Sequence, residues 1–418
     1  MKSIAKKTLS ATALAVALAI GAGVAAPASF AAEQKPSVSK AATKPIADAQ
    51  KAIQAKNFEA AIAKLNEVDA IPTRTPYDIY AAAQLRAYAL GQLGRTMDAL
   101  PFYVAELESG FMTPEDASRI SRGVTQLFYQ NKDYAKSVEW GQKTLAAGYG
   151  DADTWFFIAH SLHFQKKYGE AIQVVNDYLA DAMKKGEKPK ENHLLVMLQA
   201  SAQSKDNGNV MKGLETLVQY YPKTEYWRDL LVTVRDAAGR GTASENYTFN
   251  IYRLMRETGA LKEANDFLEM AQLGVSQGSP GEAGDALRRG AAGSAFGTES
   301  EKSAAAKLQQ TSKGLEDADR AGLAKFEVEA KAAKGGEGDV RLGQAFLSYD
   351  QSEKAVEAIQ RGIGKGSLRN ADEAQILLGI AYLRLNRKAD AAMAFAAVKG
   401  TDARFATLSR LWGYLARG

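Results

Sequence analysis

The chain of 418 residues predicts an all-α fold, a right-handed α-solenoid of about ten antiparallel helix pairs. Three observations carry this. Amphipathic runs of about 12–15 residues alternate with short breaks along most of the length, which is the 3.6-residue pattern of helices. Strand signals, meaning alternating β-branched residues between tight-turn pairs, are nearly absent. A small residue followed four places later by a larger apolar one recurs in register: Ala171 before Val175, Ala355 before Ile359, Ala391 before Phe395.

The breaks fall at 72–76, 113–115, 148–151, 185–189, 222–224 and 279–281, where Pro, Gly, Ser, Thr and Asp stop one helix and start the next. Connections this short make neighbouring helices antiparallel. The sharpest unit has Trp155, Ile158, Ala159 and Leu162 on a first helix, then Tyr168, Ala171 and Val175 on a second. Leu342, Gly343 and Phe346, and again Leu378, Gly379 and Tyr382, repeat the first-helix pattern. Ala159, Gly343 or Gly379 lets the first helix approach its partner, Ala171, Ala355 or Ala391 does the same from the other side, and large residues one turn away fill the remaining space. Weaker copies place the second small residue at Ala61, Ala99, Ser137, Val210 and Ala283, with successive gaps of 38, 38, 34, 39, 73, 72 and 36 residues. Each of the two large gaps, about twice the usual spacing, should hold a degenerate unit.

The ends and the composition bound the rest. Lys2, Lys6 and Lys7, an apolar Ala/Leu/Val/Ile run and small residues around Ser29 and Ala31 make residues 1–31 a secretory signal peptide of bacterial style, cleaved after Ala31, with the periplasm as the address. Residues 32–44 (AEQKPSVSKAATK) read as a flexible leader, 45–290 as an N-terminal array, 291–298 (AAGSAFGT) as a Gly/Ala-rich junction and 299–417 as a C-terminal array. The run 299–334 reads as two helices of poor repeat character. Hydrophobic residues at 46% and charged residues at 24% exclude wholesale disorder. The chain has no cysteine, which excludes disulfides, thiolate zinc sites and a cysteine nucleophile. Removing the three signal-peptide lysines lowers the formal charge from +5 to +2, too little to argue for a nucleic-acid partner, and no later stretch reads as a membrane span.

On these motifs the chain resembles tetratricopeptide repeat proteins over nearly all of its mature length. A narrower resemblance covers Asn192 to Gly290. There YYPKTEYWRDLL (220–231), YRLMRETGAL (252–261) and MAQLGVSQGSPGEAGDALRRG (270–290) look like periplasmic tetratricopeptide proteins accompanying TonB/ExbB/ExbD energy-transduction systems. The Gly/Ala-rich region after Gly290 departs from that pattern. The family resemblance implies a concave surface lined by first helices, at one, five and eight places after the slot held by Trp155. This assigns a partner-binding stripe of Phe156, His160 and His163, preceded by Arg122, Gln126 and Tyr129, with Gln84 and Tyr88 nearer the start. Beyond it lie Leu195, Gln199 and Ala202, then Arg228, Val232 and Arg235. Aromatics, amides and arginines suit a peptide segment, and the arginines suit an acidic or C-terminal one.

Catalytic signals do not survive inspection. Gly274-Val275-Ser276-Gln277-Gly278 spells a nucleophile elbow, but that device needs a preceding strand. Gly362 to Ser367 lacks the spacing of a phosphate loop and reads as a helix end. His160 and His163 share a helix face without a third ligand nearby, so no metal and no cofactor is expected. The expectation is a non-enzymatic periplasmic scaffold that binds a partner segment in its groove and assists TonB-type energy transduction. The alternatives are an adaptor for polysaccharide export or outer-membrane assembly and, more remotely, a cell-wall enzyme.

Overall fold

The computed structural model describes residues 36–237, 242–400 and 402–417, so the signal-peptide reading lies outside the described residues. Among them are twenty helices and no strand. The chain divides into two compact units at residues 204 and 205. The first holds α1 (Lys40–Gln54), α2 (Phe58–Asp69), α3 (Pro76–Gln92), α4 (Thr96–Glu108), α5 (Pro114–Gln130), α6 (Tyr134–Ala146), α7 (Ala152–Phe164), α8 (Tyr168–Lys184) and α9 (Glu191–Ser204). The second holds α10 (Asn207–Tyr220), α11 (Thr224–Ala237), α12 (Thr242–Glu257), α13 (Ala264–Ser276), α14 (Pro280–Ala292), α15 (Glu299–Ala332), α16 (Glu337–Ser348), α17 (Ser352–Lys365), α18 (Ala371–Arg384), α19 (Lys388–Ala396) and α20 (Ala403–Arg417).

One backbone device sets the register. Lys56, Gly94, Lys132, Lys166, Lys205, Gly278, Asp350 and Asn386 all have left-handed φ values between 56° and 73°. Each ends a helix just before the next begins, and their spacings repeat the 38, 38, 34, 39, 73, 72 and 36 of the small residues. The small residue sits five places after each turn. Ala61, Ala99, Ser137, Ala171, Ala283, Ala355 and Ala391 are all 0% exposed there, whereas Val210 is only partly buried. The left-handed residue lets the following N–H reach back to a helical carbonyl, as Asn57 does to Ala52 (2.8 Å), Lys167 to Leu162 (2.9 Å) and Arg387 to Tyr382 (2.9 Å). A Cβ on Gly379 would lie 2.3 Å from the Phe395 ring, so the helix pair depends on that glycine. Helix starts follow the sequence signals: Thr75 and Thr113 cap helices that begin with Pro76 and Pro114, and Asp151 makes a capping box with Thr154.

Three readings differ from the structure. The first helix starts at Lys40, inside the stretch taken as leader, because Ser39 caps it through Ala42 and its own N–H donates to Asp78 (2.8 Å). Pro45 is therefore an early interior residue of α1 and not its start. The first large gap does contain a helix pair, α11 and α12, whose connection lies outside the described residues. The second is filled by α15 alone, one continuous helix of 34 residues where two were expected. Nothing in 299–332 breaks it: there is no proline, Gly314 and Gly322 face open space, and i,i+4 pairs such as Glu316 with Arg320 and Glu327 with Lys331 run along it. Residues 291–298, read as an inter-array junction, link α14 to α15 within the second unit.

In the first unit α1 touches α3, α5 touches α7, and α7 touches α9, so the first helices of these pairs form a shared inner layer. Its core includes Ile46, Leu65 and Val68 at one end and Ile120, Val124, Phe128 and Trp140 farther along. In the second unit α20 returns to pack on α10 and α12, and Arg410 donates to both oxygens of Glu215 (2.8 and 2.9 Å). A charged knot lies inside that unit. Glu282, 2% exposed, meets Arg253 (2.6 Å), Arg256 (3.0 Å) and Arg384 (2.7 Å), which joins α12, α14 and α18. Burying so many charges is tolerable only because each guanidinium finds a carboxylate.

Candidate functional site

The inner layer of the first unit carries most of the expected stripe. On α3, Gln84 donates to the Tyr80 hydroxyl (3.4 Å), and Tyr88 meets Phe58 edge-on at 6.4 Å. On α5, Arg122 is half-exposed and 3.5 Å from Asp151, and Gln126 and Tyr129 follow on the same face. The Tyr129 ring contacts Phe156, Phe157 and His160 of α7, and its hydroxyl lies 2.7 Å from His160 Nδ1. Burial, followed by the nearby His163, pushes the His160 imidazole below its ordinary value, so it is a neutral hydrogen-bonding ring at pH 7. His163 packs against Tyr168, and its Nδ1 is buried without a hydrogen-bond partner among the described residues. On α9, Leu195 and Gln199 are exposed.

Residues that the stripe rule left out extend this face. Phe164, 48% exposed, stacks on Tyr134 at 4.7 Å and meets the His160 ring at a tilt at 4.5 Å. Phe157 joins Tyr129 at 4.9 Å. The signal for Phe164 was its place four residues after His160, one turn along the same face. The result is a band of aromatic and imidazole rings with almost no formal charge, Arg122 excepted. His160 and His163 rings stand 6.1 Å apart, and among the described residues no group of three His, Cys, Asp or Glu is placed to hold a metal.

Arg228 and Arg235 belong to the second unit and are already engaged. Arg228 donates to Asp266 (2.6 Å) and to the Ala260 carbonyl (2.9 Å). Arg235 donates to the Tyr252 hydroxyl (3.1 Å) and to Asp236 (3.0 Å), and lies 3.7 Å from the other Asp266 oxygen. Burial would raise the Asp266 carboxyl, but hydrogen bonds from Arg228 and from the Glu263 and Lys262 N–H groups hold it below the ordinary range. Both arginines therefore brace α11 against α12 and α13, and clamping a partner's carboxylate would cost them these contacts.

The elbow-like spelling at 274–278 is the end of α13 and its left-handed turn at Gly278. Gly366 likewise ends α17 with a φ of 70°. No helix among the described residues is long and apolar enough to cross a membrane.

Comparison with known proteins finds a known repeat in two stretches of the chain. The tetratricopeptide repeat model matches residues 85–152 and 340–404, which brackets the sharpest unit at 155–175 without including it. No curated protein matches the chain. Among solved structures, a tetratricopeptide repeat protein from Parabacteroides merdae is 10% identical, covering 90% of this chain and 99% of its own at a TM-score of 0.30. The tetratricopeptide domain of P58(IPK) is 12% identical, with 90% and 98% covered and a TM-score of 0.24. The TPR2AB domain of yeast Sti1, solved as a complex with pHSP90, is 13% identical, with 73% and 100% covered and a TM-score of 0.22. The buried small residues, the left-handed turns and the two matched stretches together identify an all-α protein that carries tetratricopeptide repeats.

Proposed function

We propose that this chain is an exported, periplasmic scaffold that binds an extended segment of a partner protein along the inner layer of its first unit. The observation that carries the reading is the ring band from Tyr129 through Phe156 and His160 to the half-exposed Phe164, which is apolar, clustered and flanked by the amides Gln126 and Gln199. Stacked repeats leave a long continuous surface of this kind for a partner, and aromatic residues are typical anchors of such contacts. The partner segment is expected to present apolar or aromatic side chains to the rings. Its acid or C-terminal carboxylate would go to Arg122, since Arg228 and Arg235 are engaged elsewhere. The resemblance of 192–290 to repeat proteins of TonB/ExbB/ExbD systems makes those membrane-complex proteins the first partners to test. Photo-cross-linking from position 126 and from the outer-layer position 143 decides the matter. Adducts with an envelope protein from position 126 alone support the reading, and adducts from position 143 alone refute it.

A further inference from the structure

The second unit contains a cleft that the ring band does not touch. It is about 500 Å³, within the range of small-molecule sites, and is walled by α12, the end of α13, α15, α16 and the start of α18. Two groups of charged residues line it. In the first, Arg341 lies 3.6 Å from Glu337 one turn away, and the same carboxylate accepts the backbone N–H of Arg369 (3.1 Å). Glu337 thus faces the Arg341 guanidinium and the Arg369 backbone, while the Arg369 guanidinium is exposed with no partner among the described residues. In the second group, Glu373 accepts only from amides, Asn246 at 3.3 Å and Asn250 at 3.4 Å. Asp319 accepts from the Tyr349 hydroxyl. Neither acid is in an ion pair among the described residues: Arg253, whose charge acts on Glu373, is bound to Glu282 (2.6 Å), and Arg320, next to Asp319 in the chain, is paired with Glu316 (2.8 Å). Burial, only partly offset by the charge of Arg253, pushes the Glu373 carboxyl above its ordinary value.

From this arrangement we infer that the cleft binds a small zwitterion, a ligand of di- or tripeptide size that carries both a free carboxylate and a protonated amine. The unpartnered guanidinium of Arg369, with Arg341, takes the carboxylate through charge-assisted hydrogen bonds. Glu373 and Asp319 take the ammonium, which supplies the cation that both lack. Phe326, Val340 and Leu377 give the apolar wall against which the middle of such a ligand rests. A neutral sugar would satisfy the amides but leave both charge surpluses in place.

Calorimetric titration of the mature chain with L-alanyl-L-alanine and with trialanine tests the inference, with the N-acetylated and C-amidated dipeptides as controls. Binding is expected for the free peptides, weakened about tenfold or more by either cap, one lost charged contact being worth a factor of this size. In Arg369→Ala the amide cap should matter several-fold less, with Arg341 alone left for the carboxylate, and in Glu373→Gln the acetyl cap should matter several-fold less, with Asp319 alone left for the ammonium. Arg369 is exposed and Glu373→Gln is near-isosteric, so both variants should melt as the parent does. Absence of heat at millimolar peptide overturns the inference. So does equal binding of capped and free peptides, cap sensitivity unchanged in both variants, or tighter binding of maltose than of either peptide.

Discussion

Arg228 of α11 places its guanidinium 2.6 Å from Asp266 of α13, a carboxylate only 5% exposed that also accepts the N–H groups of Lys262 and Glu263. This pair turns an expected ligand-clamping arginine into a brace. Arg228→Ala is therefore expected to lower stability by about 1–3 kcal/mol, because it leaves a buried acceptor short of its donor. Denaturant titration checks this, and an unchanged midpoint would show that the arginine is dispensable to the fold.

The repeat register makes a second claim about packing. Ala171 is 0% exposed against the facing helix, and Ala171→Leu should overpack it at a cost of about 1–3 kcal/mol. Gly379→Ala should also destabilise, since its Cβ would meet the Phe395 ring at 2.3 Å. Lys185, paired with Asp181 on the surface, should be nearly silent when changed to Ala. Chemical denaturation of the three variants side by side makes the comparison, and a neutral Ala171→Leu would mean the register is misplaced.

Much of this was legible in the sequence, for a physical reason. A small residue where two helices cross cannot be replaced without moving a backbone, so Ala61 through Ala391 mark each unit wherever the larger residues drift. The left-handed turns five places earlier were not legible, because lysine holds four of them (Lys56, Lys132, Lys166 and Lys205) where glycine would have announced the conformation. The fate of Arg228 was hidden because Asp266 stands 38 residues away in the chain. The single helix α15 was missed because the repeat period called for a pair there. The ring band was half legible: the stripe implied by the tetratricopeptide resemblance includes Tyr129, Phe156 and His160, and it passes over Phe164.

Two buried groups of the first unit should shape stability against pH. Glu106 is 1% exposed, one of its oxygens lacks a partner, and burial pushes its carboxyl up to about 8. The folded chain keeps this proton where the unfolded chain loses it, so the contribution is full below about pH 4.5 and declines as pH rises to about 8. His193, 0% exposed and 2.7 Å from the Ala152 carbonyl, is pushed down to about 4 by burial. Its contribution is full above about pH 6.5 and is lost as pH falls to about 4. Opposed slopes between about pH 4.5 and 6.5 predict a plateau there. Glu106→Gln should remove the alkaline decline, worth at most roughly 1.4 kcal/mol per pH unit. Urea midpoints at about pH 7 and about pH 8, where the His193 contribution is already full, should then coincide in the variant and differ in the parent.

Export rests on residues 1–31, outside the described residues. N-terminal sequencing of the chain recovered from a periplasmic fraction should begin near Ala32, and its melting should be insensitive to reductant because there is no cysteine. A chain that keeps Met1 would contradict the signal-peptide reading.

The central claim is that the ring band of the first unit holds the partner. With a cross-linked partner in hand, its affinity for the double variant Arg122→Glu, Phe164→Ala is to be compared with that for Lys136→Glu, Lys143→Glu. The two lysines lie on α6, in exposed pairs with Asp133 and Glu139, and neither touches a ring of the band among the described contacts. The first variant should lose binding several-fold or more while helix content and melting stay as in the parent, and the second should bind normally. Equal loss from both variants, or loss from the lysine pair alone, would contradict the account.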